Sequence, residues 1–130
     1  MTRLDGISVL LVEDHDDGRE VLARILQLAG ARVVAMSSAR AALEALGTTR
    51  PDVLVSDIGL PEEDGYALLR QLREYEAARG GRIPAIAVTG FARPEDRTRL
   101  LAEGFQYYIR KPVESHELIA AVASLATIRF

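Results

Sequence analysis

Val53-Leu54-Val55-Ser56-Asp57 decides how this chain folds. Aliphatic residues stand on consecutive positions and lead straight to a carboxylate, without the in–out alternation of a strand that has one wet face. Such a run belongs in a sheet covered on both sides. Asp57 stands where the strand leaves the covered interior. Comparable runs occur at residues 7–12, 32–36, 85–88 and 107–109.

The segments between these runs have helical spacing. Val21, Leu22, Ile25, Leu26 and Ala29 form one stripe, closed by Gly30 at a C′ position. Ala39, Ala42, Leu43 and Leu46 form a second, with Ser38 as N-cap and Gly47 as the stop. Leu68, Leu69 and Leu72 follow Asp64 as a candidate cap, and Gly80-Gly81 ends that helix. Pro94 suits the first position of a fourth helix, with Glu95 and Asp96 in its first turn and Gly104 beyond its end. Leu118, Ile119, Val122, Leu125 and Ala126 make the last, with Ser115 as a possible cap. Strand and helix alternate five times with short connections, which implies an α/β domain: a parallel, doubly wound sheet with helices on both faces.

Composition sets the bounds. The 130 residues fit one domain, expected to occupy 1–130. A hydrophobic share of 48% beside a charged share of 27% describes a globular chain. With no cysteine there is no disulfide framework, and a reducing, cytoplasmic setting is the natural reading. The apolar runs are too short to insert in a membrane, and a net charge of −3 gives no support for nucleic-acid binding.

In a sheet of this kind, ligands bind in the crevice outside the carboxyl ends of the strands. Glu13, Asp14, His15, Asp16 and Asp17 follow the first strand, Asp57 the third, Thr89-Gly90 the fourth and Lys111-Pro112 the fifth. Taken singly, these are a solvated loop, a turn, a cap and a surface charge. Together they bring acids, a hydroxyl and an ammonium to one rim. Asp57 beside Asp14 and Glu13 in a partly desolvated pocket calls for positive charge between them. Hard oxygen ligands favour Mg²⁺, with Mn²⁺ as an alternative, and no His pair or Cys set points to zinc. Lys111 is the one lysine among sixteen basic residues, which suggests a position where a compact, flexible ammonium is wanted. A nucleotide enzyme would need a Gly-rich loop after the first strand, where Glu13-Asp14-His15-Asp16 stands instead. A phosphatase with an Asp-x-Asp motif would need a carboxylate at Gly59.

The acidic pair Glu13-Asp14, the segment Ser56-Asp57-Ile58-Gly59-Leu60-Pro61 with Asp64-Gly65-Tyr66, then Thr89, and Tyr108 with Lys111-Pro112 resemble the receiver domain of two-component response regulators. The resemblance covers essentially the whole chain. It implies a flavodoxin-like sheet of order 2-1-3-4-5 and a phosphoacceptor domain of a phosphorelay, not a conventional enzyme. By that resemblance, Asp57 accepts a phosphoryl group from a phosphohistidine on a histidine kinase or histidine phosphotransfer protein and becomes an aspartyl phosphate. Asp14, Asp57, the Gly59 carbonyl and, through water, Glu13 would hold Mg²⁺. Lys111 and the Thr89 hydroxyl would contact the phosphoryl group. Thr89 and Tyr108 would pass the change to the face built from the fourth helix, fifth strand and fifth helix, which binds a downstream partner. Lys111-Pro112 resembles the family's cis junction.

Several positions tune this pattern. Glu13 replaces the commoner aspartate, and Gly90 a small alanine. Gly59 and Phe91 flank the acceptor's mouth and are expected to set the phosphate lifetime. His15 decorates the acidic loop, His116 starts an exposed helix, Tyr107 packs, and Glu62, Glu63 and Asp64 are solvated loop and cap. The competing reading is a receiver-like interaction module that works without phosphorylation. The chain ends after the fifth helix with no output domain, so a free-standing regulator and a receiver cut from a hybrid kinase are both open.

Overall fold

A computed structural model of the chain describes residues 2–79, 81–90 and 93–126. Among them are five strands and five helices in strict alternation: β1 (Ser8–Val12), α1 (Asp16–Leu28), β2 (Arg32–Met36), α2 (Ala39–Ala45), β3 (Val53–Asp57), α3 (Gly65–Arg79), β4 (Ala85–Thr89), α4 (Pro94–Glu103), β5 (Tyr107–Arg110) and α5 (Ser115–Ala126). All strand pairs are parallel, in the order β2-β1-β3-β4-β5. This is the flavodoxin-like, doubly wound sheet expected.

Burial follows strand position. β3 and β4 are buried at every residue, because each has strands on both sides and helices on both faces. β2 and β5 are edges, and their outer residues are open. Pleating sends alternate side chains to two cores. Val9, Leu11, Val53, Val55, Ile86 and Val88 meet Leu22 and Leu26 of α1 and Leu118 and Val122 of α5. Leu10, Val12, Leu54, Ala85 and Ala87 meet Leu68, Leu69 and Leu72 of α3 and Leu100 of α4, with Phe105. Within the first stripe Val21 is 58% exposed, since Leu22 and Leu26 are the residues that α1 turns toward the sheet.

The helix ends show local chemistry at work. The Ser38 hydroxyl accepts from the Ala41 N–H at 3.1 Å, and Asp64 Oδ1 accepts from the Ala67 N–H at 2.9 Å, as anticipated. Pro94 opens α4, and Gly104 takes the left-handed conformation at its end (φ 112°), a backbone state that glycine adopts without steric penalty. Ser115 is not the cap of α5. Glu114 takes that place, its carboxylate accepting from the N–H groups of His116 at 3.1 Å and Glu117 at 3.0 Å. Those two hydrogen bonds lower its pKa from the ordinary glutamate value.

Near the C-terminal end of α3, Glu76 is buried and bonded to Arg73. The pair grips one residue of the following loop. Ile83 donates its N–H to Glu76 at 2.7 Å, and its carbonyl accepts from Arg73 at 2.8 Å. Gly80 lies outside the described residues, while Gly81 has φ 84°.

Candidate functional site

β1, β3, β4 and β5 end on the same rim, so parallel pairing brings their last residues together. Register sets Val12 opposite Ser56, Asp57 opposite Val88 and Thr89 opposite Arg110. Asp57 is the final residue of β3 and only 7% exposed; Glu13 and Thr89 are buried as well. Their burial is tolerable because each finds partners.

The charge expected between the acids is supplied in part by the protein. Lys111 Nζ lies 2.9 Å from Asp57 Oδ2 and 3.1 Å from Glu13 Oε1. Burial alone would pull the Lys111 pKa down. Its hydrogen bonds to Asp57 and Glu13, with the charges of both, outweigh that and hold it above the ordinary lysine value. The ammonium therefore stays charged throughout the neutral range. The Lys111-Pro112 peptide bond is cis.

Asp57 Oδ1 accepts from the Gly59 N–H at 3.2 Å, so Gly59 touches the carboxylate through its amide. Asp14 differs from its neighbours. Its Oδ1 is buried and lacks a hydrogen-bond partner among the described residues. An orphaned carboxylate oxygen is costly in a folded protein unless something absent from the polypeptide satisfies it. Ligand atoms of Glu13, Asp14, His15 and Asp57 lie within 4.8 Å of one another, a group able to hold a metal ion. Three carboxylates with room for water match the demands of a hard divalent cation, so the residues fit Mg²⁺.

Thr89 gives its backbone carbonyl to the Lys111 N–H at 2.9 Å, which ties the ends of β4 and β5. Tyr108 is half-buried, and its ring stacks on Tyr107 (centroids 6.3 Å, 27°). Alternation along β5 would set the two side chains on opposite faces, yet their rings stack. Tyr107 remains 41% exposed and donates its hydroxyl to Glu117 at 3.2 Å. Phe91 lies outside the described residues. His116 is exposed, as expected.

Two residues that support the site, Arg19 and Gly18, were missed in the sequence, and a third, Gly65, was read only as part of a motif. The Arg19 guanidinium donates to the Glu13 carbonyl at 3.0 Å, reaches the Asp14 carbonyl at 3.4 Å and pairs with Asp16 at 2.6 Å, so the first turn of α1 holds the acidic loop. Gly18 leaves room for Glu13: a Cβ there would come within 3.3 Å of Glu13 Oε1. Gly65 lies against the far side of the acceptor, where a Cβ would be 2.6 Å from the Asp57 carbonyl oxygen. Gly65 was legible as part of a motif, but no signal in the sequence marked its contact with the acceptor's backbone.

A doubly wound parallel sheet carrying buried acids and one lysine at the crevice between its first and third strands defines a signalling receiver. The comparisons agree. Residues 9–123 match the family model described as the response regulator receiver domain. The chain is 41% identical over 122 residues to an uncharacterized 14.6 kDa protein of Leptolyngbya boryana, covering 94% of this chain and 92% of that one. It is 31% identical over 128 residues to hybrid signal transduction histidine kinase D of Dictyostelium discoideum, of which it spans only 8%, and it spans 17% of other sensory relatives. Among solved structures, the receiver domain of sensor histidine kinase PA1611 from Pseudomonas aeruginosa, which has magnesium coordinated in its active-site cleft, superposes with a TM-score of 0.84. The identity is 32%, over 95% of this chain and 99% of that one. The chain belongs to the response regulator receiver domain family of two-component phosphorelay systems. No helix among its described residues is long and apolar enough to cross a membrane.

Proposed function

We propose that the chain, read as one domain over 1–130, is a cytoplasmic phosphoacceptor whose acceptor is Asp57. The donor is a phosphohistidine on a histidine kinase or a histidine phosphotransfer protein. The observation that carries this reading is the setting of Asp57: buried at the end of a central strand, 2.9 Å from Lys111 Nζ, within reach of the unsatisfied Asp14 Oδ1.

A carboxylate oxygen of Asp57 attacks phosphorus, the P–N bond of the donor breaks, and the departing imidazole keeps the electron pair. The product is an acyl phosphate. Asp14, Asp57, Glu13 and Gly59 are the residues that would hold Mg²⁺, or Mn²⁺ in its place, which when bound neutralises charge on the phosphoryl oxygens. Lys111 exchanges its contact with Asp57 for one with a phosphoryl oxygen, and its charge stabilises the transferring group. The Thr89 hydroxyl donates to another oxygen. Movement of Thr89 and rotation of Tyr108 change the α4-β5-α5 face, which a downstream protein reads.

Incubation with acetyl phosphate, or with beryllium fluoride as mimic, plus Mg²⁺ tests this, with Asp57→Asn as control. Wild type should gain one phosphoryl group (or bind the mimic) and shift resonances on the α4-β5-α5 face, and the variant should do neither. A wild-type protein that neither gains phosphate nor changes conformation would overturn the proposal in favour of a phosphorylation-independent interaction module.

A further inference from the structure

His15 has no part in the reading above, yet its ring is held at the mouth of the site. It is the N-cap residue of α1, and its backbone N–H donates to Glu13 Oε2 at 3.1 Å, which fixes where its side chain starts. Ring Nδ1 then lies 3.3 Å from Glu13 Oε2 and 3.4 Å from Asp14 Oδ1. The second approach is close without being aligned, since Asp14 Oδ1 makes no hydrogen bond among the described residues. The ring is 73% exposed on its side chain, Nδ1 is hydrogen-bonded to Glu13 Oε2 at 3.3 Å, and in the Nε2–H tautomer the Nδ1 lone pair would face the carboxylate oxygens. A cation stabilises that arrangement.

We infer that His15 is an imidazole ligand, through Nδ1, to the divalent cation of this site. The inference rests on the reading of Asp14 and Asp57 as cation ligands and adds a nitrogen to an otherwise all-oxygen set. The spacing of at most 4.8 Å among the four ligand atoms is one that a first-row ion, with ligands at about 2.0–2.2 Å, spans after small side-chain movements. The chemical consequence is selectivity. Mg²⁺ is hard, retains its waters and gains little from imidazole. Mn²⁺, Co²⁺ and Ni²⁺ gain progressively more along the usual order of divalent affinities. The site therefore favours transition ions over Mg²⁺ by more than its carboxylates alone would dictate.

The test is equilibrium binding of Ni²⁺ and of Mg²⁺, each alone, by titration calorimetry. It is made in a His116→Ala background so that the second histidine contributes nothing. Thermal melts without metal check that His15→Ala and His15→Asn fold. Removing the imidazole should weaken Ni²⁺ by about tenfold or more while leaving Mg²⁺ within about twofold. Cu²⁺ bound to the parent should show nitrogen hyperfine coupling that disappears in both variants. Equal Ni²⁺ affinity with and without His15 overturns the inference. So does an equal loss for both metals, which would mean that His15 acts only by shaping the loop. A parent protein that binds neither ion overturns the cation reading itself, a different failure from loss of the nitrogen signature alone.

Discussion

Gly65→Ala sets two effects against each other. Gly65 is the first residue of α3, where alanine gains up to about 1 kcal/mol in helix propensity. Against that gain, the new Cβ would stand 2.6 Å from the Asp57 carbonyl oxygen, 2.9 Å from Ile58 Cα and 3.0 Å from Ile58 Cδ1. Two of these are backbone atoms of the segment that carries the acceptor, so no rotamer change removes them. The Gly65 N–H also donates to the Ile58 carbonyl at 2.9 Å, and moving the helix away strains that bond. Overpacking of this kind costs about 1–3 kcal/mol, which exceeds the propensity gain. The expected net loss of about 1–2 kcal/mol lowers the melting temperature by about 3–10 °C in a domain of this size. Gly59→Ala is the matched control, because its Cβ meets nothing within 4 Å and its melt should stay within about 2 °C of wild type. Melts followed by circular dichroism decide the matter, with acetyl phosphate uptake measured on the same samples. Gly65→Ala melting at or above wild type would refute the steric argument.

Two other perturbations follow from contacts already described. Glu76→Ala leaves the Arg73 charge and the Ile83 N–H without their acceptor, a loss of about 3 kcal/mol by denaturant unfolding, and Glu76→Gln should recover part of it; a loss under about 1 kcal/mol would contradict the buried-pair reading. The folded-state pKa of Glu114 is depressed by its two backbone hydrogen bonds, so its contribution is present above the ordinary value of 4.5 and fades as pH falls through the lower folded value. Glu114→Ala should therefore melt below wild type at pH 7, with the gap closing on acidification below about pH 4, and a gap independent of pH would count against the cap.

What could be read from the sequence follows from how far each effect reaches along the chain. β3 and β4 were legible because burial on both faces leaves unbroken aliphatic runs, a purely local mark. The apolar runs themselves stop at Val55 and Val88, whereas pairing carries Ser56, Asp57 and Thr89 into the sheet; polar residues give no sign that a neighbouring strand will satisfy their backbone. Ser38 and Asp64 were legible as caps because short polar side chains fold back on nearby amides. Glu114 was not, since its longer side chain is an uncommon cap and Ser115 beside it is a common one. Asp14, Asp57, Thr89 and Lys111 could be placed on one rim from topology alone. Arg19 and Glu76 could not be recognised, because beside the side chains of Asp16 and Arg73 they bind backbone groups that only the folded chain brings to them. Val21 belonged to the apolar stripe by spacing, yet sheet packing turned α1 so that it faces outward.

The chain's single lysine is also the residue whose ammonium bridges Glu13 and Asp57. Isotope incorporated only at the lysine side-chain nitrogen would place one resonance in the whole spectrum of these 130 residues, at the centre of the chemistry. An arginine-rich surface is silent to such labelling. The protein thus carries its own reporter: anything that displaces Lys111 from Asp57, whether ion, phosphoryl group or docking partner, becomes visible as the movement of one signal.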